Sequence, residues 1–491
     1  MESHGCGAPA RHIEANDTAQ DQGIRACRSW RSAESLGGWG AITDCRSRCV
    51  GLYVPLICPE RPRKKGEKMS KLAINGGPRA VPEGMIKPWP PITEVDRKYV
   101  LDSLNQPNHA WGPNCSAFEQ EFAQWNGNKF AITTNSGTAA LHMGVAACGC
   151  GAGDEVIVPA YSWSSSATCV LHHNAIPVFV DIDFATINID VNKIEKAVTK
   201  RTKAIIVVHL HGLSVNMDKV MAIARKHGLK VIEDCCQAHG AEFKGRKVGT
   251  FGDCAAFSFN QNKCLCSGEG GMFVTDNEEI AAKARMVWSF GETRTPSEKR
   301  DYHAYALGWM YRNNDLTAAF GRAQLTRLDE YIRIQRRHAA ILLKELADVE
   351  GLILPVEPPG HKANHYNFTC RIDCRALGWK GHPSRFRDAV MKALNAEGVP
   401  AHVWQHFILP AMTVFQAKNA FGKGSPWCFG GKVDYDPKKF PEAQRHTDSH
   451  FGMTNPLRAP NGPEAARAVA KAIRKVFANI RELDVDKALS S

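Results

Sequence analysis

Lys263 lies in the stretch Ser258-Phe-Asn-Gln-Asn-Lys263-Cys-Leu-Cys-Ser-Gly268-Glu-Gly-Gly271, between the apolar run 254–259 and a glycine-rich turn. Lysine is the side chain that condenses with an aldehyde, and partial desolvation lets it titrate low enough to act as nucleophile and base. Taken singly, such a lysine is more often a solvated loop charge beside a hairpin. A second element argues otherwise: in Val231-Ile-Glu-Asp234-Cys-Cys-Gln237-Ala-His239-Gly240 a hydrophobic run ends in a carboxylate. A strand-end carboxylate is what a pyridinium nitrogen requires as partner. Strand-end Asp and strand-end Lys, about 30 residues apart, read together as a pyridoxal phosphate site.

Two further segments precede these: Thr134-Asn-Ser136-Gly137-Thr138-Ala-Ala-Leu141 and Val158-Pro-Ala-Tyr161-Ser-Trp163. With all four in this order, the chain from about residue 72 to about 483 resembles the DegT/StrS family of sugar and cyclitol aminotransferases. The resemblance implies a type I aminotransferase fold, pyridoxal 5'-phosphate as cofactor, a homodimer, and transamination of a keto-sugar, often nucleotide-linked, or of a keto-cyclitol such as scyllo-inosose. Glutamate or glutamine is the amino donor in that family. It also implies roles. Lys263 holds the cofactor and shuttles the proton, and Asp234 pairs with the ring nitrogen. Trp163 stacks on the ring, Gln237 sits near the phenolate oxygen, and Ser258 reaches the phosphate. His239 is matched in many relatives, with a structural role as the alternative.

The residues support part of this independently. Ser136-Gly137-Thr138 opens a helix, and free N–H groups with the positive end of the helix dipole favour a phosphate; an ordinary capped helix is the bland alternative. Trp163 alone would read as core. One departure stands out: relatives show Gly-Phe/Tyr-Asn-Tyr-Arg, whose asparagine crosses the dimer interface to the phosphate, whereas this chain has Gly308-Trp-Met310-Tyr311-Arg312, with Asn313 and Asn314 close by. A dehydratase branch of the family carries histidine at the lysine position, which Lys263 argues against. A non-catalytic regulatory homologue would lack Lys263 or Asp234, and both are present.

The elements that position these residues follow from hydrophobic patterning. From residue 127 onward short apolar runs (130–134, 155–158, 178–181, 203–208, 230–233) alternate with longer amphipathic stretches beginning near 137, 163, 191 and 216. This is the βαβ pattern of a mostly parallel sheet covered on both faces, whose ligands sit beyond the carboxyl ends of the strands. The expected class is α/β: a large cofactor-binding domain over 69–325 and a smaller α+β carboxy-terminal domain over 326–491. A long helical segment over 316–346 joins them, with further helices near 383–397 and 463–483 and a strand near 366–370. The segment 415–445, rich in Gly, Pro, Lys and aromatics, reads as a long irregular excursion.

At 491 residues, 44% hydrophobic and 23% charged, the chain is globular and too long for one compact core. No run of about 18 apolar residues could span a membrane, and the apolar run 49–58 is too short and too far in for a signal peptide. The 17 cysteines include no Cys-x-x-Cys pair. No zinc site is expected, and the thiols place the protein in a reducing, cytoplasmic compartment. The net charge of +12 is spread without a basic stripe, so nucleic acid is not an expected partner; the excess suits anionic small molecules. Residues 1–68 show no sustained pattern and carry 11 Lys/Arg against 8 Asp/Glu. Lys64-Lys-Gly-Glu-Lys68, encodable by a purine-rich ribosome-binding stretch, precedes Met69. The expectation is that Met69 is the start and 1–68 is translated leader or a disordered extension.

Overall fold

The repeating strand–helix unit begins where the sequence first alternates. In this computed structural model, residues 70–293, 300, 302–430 and 432–490 are described. The chain divides into Met1–Gly66 and Glu67–Ser491, and every described residue belongs to the second unit. The leader reading of 1–68 lies outside the described residues.

Two helices come first. α1 (Glu94–Leu104) opens with a capping box between Thr93 and Asp96, and α2 (Pro113–Asn126) has proline at its first position, where no N–H is needed. Then follow β1 (Phe130–Thr134), α3 (Gly137–Ala147), β2 (Glu155–Pro159), α4 (Ser165–His172), β3 (Ile176–Val180), α5 (Val191–Ile194), β4 (Thr202–Val208), α6 (Met217–His227) and β5 (Lys230–Asp234). A short hairpin, β6 (Glu242–Phe243) and β7 (Arg246–Lys247), precedes β8 (Cys254–Ser258), β9 (Gly271–Thr275) and α7 (Glu278–Trp288). α8 (Asp315–Leu325) and α9 (Leu328–Leu346) lead on to β10 (Leu352–Ile353), β11 (His361–Lys362), β12 (Phe368–Ile372), α10 (Pro383–Ala396), α11 (Thr413–Ala417), α12 (Pro441–Ser449), β13 (His450–Met453), α13 (Pro463–Ala478) and α14 (Val485–Ser490).

The main sheet has seven strands in the order β1-β9-β8-β5-β4-β2-β3. β9 runs antiparallel to both of its neighbours and the other pairings are parallel. The α/β class expected from the sequence, with a mostly parallel sheet, is therefore present. Strands β2, β4, β5 and β8 are almost wholly buried, as an interior parallel sheet requires.

The segment expected as one helix over 316–346 is two. Arg327 leaves the helical conformation between α8 and α9. Its guanidinium donates to both Asp96 carboxylate oxygens at 2.6 and 2.8 Å and to Thr93 Oγ1 at 2.8 Å, fastening the break to the start of α1. Carboxy-terminal to α9, a second core gathers Phe368, Phe386, Leu394, Phe451 and Ile473 around the sheet β10-β12-β13.

The 415–445 excursion is anchored to the large sheet's core. Phe415, Trp427, Tyr435 and Phe440 join the cluster around Phe179 on β3. The Tyr435 hydroxyl donates to Pro177 O at 2.7 Å, and the Asp181 carboxylate accepts from the N–H groups of Glu442 and Ala443. Among the described residues, no helix is long and apolar enough to cross a membrane.

Candidate active site

Six of the seven strands run the same way and end on one edge of the sheet, and the chain leaving each carries a polar or aromatic side chain. Strand pleating turns successive residues to opposite faces, so Glu233 and Asp234 part company. Glu233 is saturated within the chain: it accepts from the N–H groups of Gly249, Phe251 and Gly252 at 2.7–2.8 Å and from His209 Nε2 at 3.0 Å. His209 Nδ1 in turn accepts from Val215 N. With Cys235 these form, among the described residues, the one acidic–histidine–thiol group close enough to hold a metal. Its oxygens and ring nitrogens are already spent holding the turn that leads into β8.

Asp234, at the end of β5, is buried. One carboxylate oxygen accepts from Ser166 Oγ at 2.7 Å, the other from the N–H of Cys236 at 3.1 Å, and Ser166 pairs with Ser162 at 2.8 Å. The carboxylate is thus oriented from the loop and helix that follow β2. β8 pairs with β5 so that Asp234 lies opposite Ala256, which brings Ser258 one pleat further along the same edge.

Lys263 follows five residues after Ser258. Its backbone is clamped: the carbonyl accepts from Trp89 Nε1 at 3.0 Å, its N–H donates to Asn260 O, and the neighbouring Asn262 carbonyl accepts from the buried Arg458 at 2.7 Å. Its ammonium stands 5.0 Å from the Tyr366 ring centre. Burial pulls this ammonium down, but Tyr366, Cys236 and Asp234 outweigh it and hold the group above the ordinary lysine value. The sequence-based expectation of a lysine titrating low is therefore corrected for the protein without its cofactor. A pyridinium on Asp234 would offset the pull of that carboxylate on the ammonium.

Ser136 caps α3 by accepting from Ala139 N at 3.1 Å. The Thr138 hydroxyl is shared with Ser165 at 2.7 Å. A Cβ at Gly137 would come within 2.8 Å of Ser258 Cβ and 2.9 Å of Cys236 Sγ, and one at Gly271 within 2.6 Å of the Ser136 carbonyl. Three chain segments thus meet too closely for side chains at these positions. The first N–H groups of α3 lie at this meeting point, with Lys263 and Asp234 close to Cys236 beside it. Those N–H groups have no intrahelical acceptor.

Gln237 is buried, and its Oε1 accepts from the N–H of His211 at 2.8 Å. Its Nε2 donors remain for a ligand oxygen. Trp163 is 54% exposed, so its ring is not core; it tilts toward Trp404 at 6.3 Å. His239 is fully buried against Phe257 and Phe259, and burial, reinforced by the positive charges of Lys263 and Arg458, takes its pKa down to about 3. It is a neutral packing residue in this arrangement.

This geometry agrees with what the chain is similar to. Residues 90–424 match the model of the DegT/DnrJ/EryC1/StrS aminotransferase family. The chain belongs to that family. It is 42% identical over 315 residues to a GDP-perosamine synthase of Caulobacter vibrioides, covering 63% of this chain and 81% of that protein. It is 33% identical over 433 residues to an L-glutamine:scyllo-inosose aminotransferase of Streptomyces griseus, covering 84% of this chain and 99% of that one. Among solved structures, 3-amino-5-hydroxybenzoic acid synthase superposes with a TM-score of 0.72 at 29% identity, over 81% of this chain and all of that one. The protein is an aminotransferase.

Several residues at the site escape sequence reading. Tyr366, Trp404, Arg458 and Trp89 come from segments remote from the motifs. His211 had a signal: it stands three residues beyond Val208, where β4 ends on the same edge. Met310 is 51% exposed. Asn314 is spent as the cap of α8, accepting from Thr317 N, and Asn313 is buried with its oxygen on Thr317 Oγ1 and Asn314 N.

Proposed function

We propose that the protein transfers an amino group from glutamate or glutamine to a keto-sugar or keto-cyclitol, using pyridoxal 5'-phosphate. The observation that carries this reading is the meeting of Lys263, Asp234 and the Gly137–Ser258 contact at the carboxyl edge of one parallel sheet. The residues fit the cofactor. Asp234 would take the ring nitrogen, and Gln237 Nε2 the phenolate oxygen. Trp163 would take the ring face. Ser136, Gly137, Thr138 and Ser258 would take the phosphate. When bound, pyridoxal phosphate supplies an aldehyde carbon that carries the amino group and a ring that withdraws electrons.

Within that frame, the Lys263 Nζ holds the cofactor and, once displaced by the donor's amine, takes and returns the proton at the reacting carbon. Asp234, kept in place by Ser166 and Cys236, stabilises positive charge on the ring nitrogen. Trp163 and Trp404 limit water on the open face. The two relatives act, by their names, on a GDP-linked sugar and on scyllo-inosose, which supports an acceptor of that polyhydroxylated class.

The reading includes a homodimer. Tyr302 and Leu307, beside Met310, are strongly exposed, and an apolar surface of this kind suits a second copy. The test is a screen of amino donors and keto acceptors, following the change in cofactor absorbance, with borohydride reduction and peptide mapping. Reduced cofactor on Lys263 and amination of a keto-sugar or keto-cyclitol are expected. Cofactor attached elsewhere, or no amination across the screen, overturns the reading.

A further inference from the structure

His211 is 7% exposed and sits in the left-handed region, at φ 53 and ψ 16. A non-glycine residue is strained there and persists where surrounding structure insists on it. Its backbone N–H is committed to Gln237, which ties it to the cofactor side of the sheet. Its ring stands edge-on to Trp404, with centres 5.0 Å apart. Trp404 in turn faces Trp163 and Tyr161.

The imidazole is half satisfied. Nδ1 meets Asn367 Nδ2 at 3.5 Å, and Asn367 Nδ2 also donates to Thr369 Oγ1 at 2.9 Å. With Nδ1 accepting, Nε2 carries the hydrogen, and this buried Nε2 has no partner; Asn367 Oδ1 is likewise buried and unpartnered. Burial, with His450 and His402 next in effect, outweighs the opposing side-chain contact with Gln237 and holds the ring well below the ordinary histidine value, so it is neutral. One neutral donor and one neutral acceptor therefore stay open, each at a cost that a ligand hydrogen bond would relieve. A carboxylate or phosphate would call for a cation here. An uncharged oxygen does not.

We propose that His211 is an acceptor-binding residue, whose Nε2 donates to a hydroxyl or carbonyl oxygen of the keto substrate in a recess walled by Trp404. The inference rests on the proposed transaminase reading and gives it a specificity element: recognition of a neutral, oxygen-rich ring. His211→Phe keeps a ring against Trp404 and removes the donor. His211→Gln returns an N–H near the Nε2 position.

The experiment titrates the aminated holoenzyme with scyllo-inosose and with 2-deoxy-scyllo-inosose, read by cofactor absorbance, beside the donor half-reaction with glutamine. For His211→Phe, the acceptor Kd should rise roughly tenfold to hundredfold, with the donor half-reaction and cofactor retention unchanged. His211→Gln should recover much of that loss. An unchanged acceptor Kd in His211→Phe, or a loss confined to the donor half-reaction, overturns the proposal. If His211→Phe does not fold, His211→Gln decides it: acceptor binding as weak as that of a cofactor-retaining Trp404→Ala control overturns the proposal, and near-wild-type binding supports it. Wild-type protein that aminates no keto acceptor refutes the transaminase reading, whereas wild-type turnover with an indifferent His211→Phe refutes this inference alone.

Discussion

On the proposed reading, Lys263 concentrates two tasks in one nitrogen, attachment and proton transfer. Lys263→Ala should lower turnover by several orders of magnitude while leaving the fold intact, because the Trp89 and Asn260 contacts are to its backbone. Cofactor should still bind, without borohydride-stable attachment; unchanged activity would refute the assignment. Asp234→Asn is nearly isosteric and keeps one oxygen for Ser166 or for Cys236 N–H, both of which now donate to the carboxylate. The ring nitrogen then loses its anionic partner. The expected result is slower proton transfer in both half-reactions with donor binding little changed, measured by stopped-flow absorbance. Wild-type half-reaction rates in this variant would make Asp234 structural.

Above the single residue, the site depends on how closely elements approach. Gly137→Ala places a methyl group 2.8 Å from Ser258 Cβ. Both neighbours are held by α3 and β8, so the clash must move a helix against a strand. Overpacking of this kind costs about 1–3 kcal/mol. The expected outcome is a lower Tm together with faster loss of cofactor on dialysis; unchanged retention would mean that the α3–β8 contact does not shape the phosphate cradle. The strand-end motifs are legible in sequence because each follows an apolar run at a fixed offset, as Asp234 follows β5 and Lys263 follows β8. Periodicity also places β1, β2, β4 and β5 and most helices. It does not show the break at Arg327, which depends on a salt bridge to Asp96 far earlier in the chain. Nor does it show Trp404 beside His211 or Tyr366 under Lys263, since those meetings exist only after the carboxy-terminal segment packs on the sheet. The 415–445 segment is long and irregular, as expected, and its aromatics are spaced without period because they fill a surface presented by β3, not one of their own.

Across the whole molecule, buried histidines couple stability to pH. Burial, with smaller contributions from nearby charges, takes His142, His239 and His450 each to about 3. An unfolded histidine takes up its proton near 6.5, so below that value the unfolded chain binds protons that the folded chain refuses. Stability must fall as pH drops from about 6.5 toward 3, by on the order of 2 kcal/mol per group at pH 5. His450 has a structural reason to stay neutral: its Nδ1 donates to His446 O, and its Nε2 accepts from the Tyr161 hydroxyl and from Trp404 N. Tm should therefore drop between pH 8 and pH 5. His450→Gln, although less stable at pH 8, should show a shallower drop; an equal slope would mean that His450 does not contribute.

The assembled molecule is also where Met310 matters. The family resemblance implies an asparagine at this place that crosses to the partner's phosphate, and here a thioether stands exposed instead. Asn313 is a poor substitute, because it is buried and its Nδ2, the atom that would donate, is enclosed within its own chain. Asn314 has its oxygen on the α8 cap, and turning its amide outward would uncap that helix, at a cost of about 1 kcal/mol. On the proposed reading the phosphate then has one fewer donor, and a hydrogen bond to a charged group contributes roughly 1.5–3 kcal/mol, about tenfold to hundredfold in retention. Met310→Asn should slow the loss of the aminated cofactor on dialysis by that factor, and only in the dimer, since the added amide serves the other subunit's site. Mixing Met310→Asn with Lys263→Ala subunits gives the sharper check: improved retention should appear in the site whose partner subunit carries the asparagine. Equal retention in wild type and Met310→Asn would show that another group already fills the position.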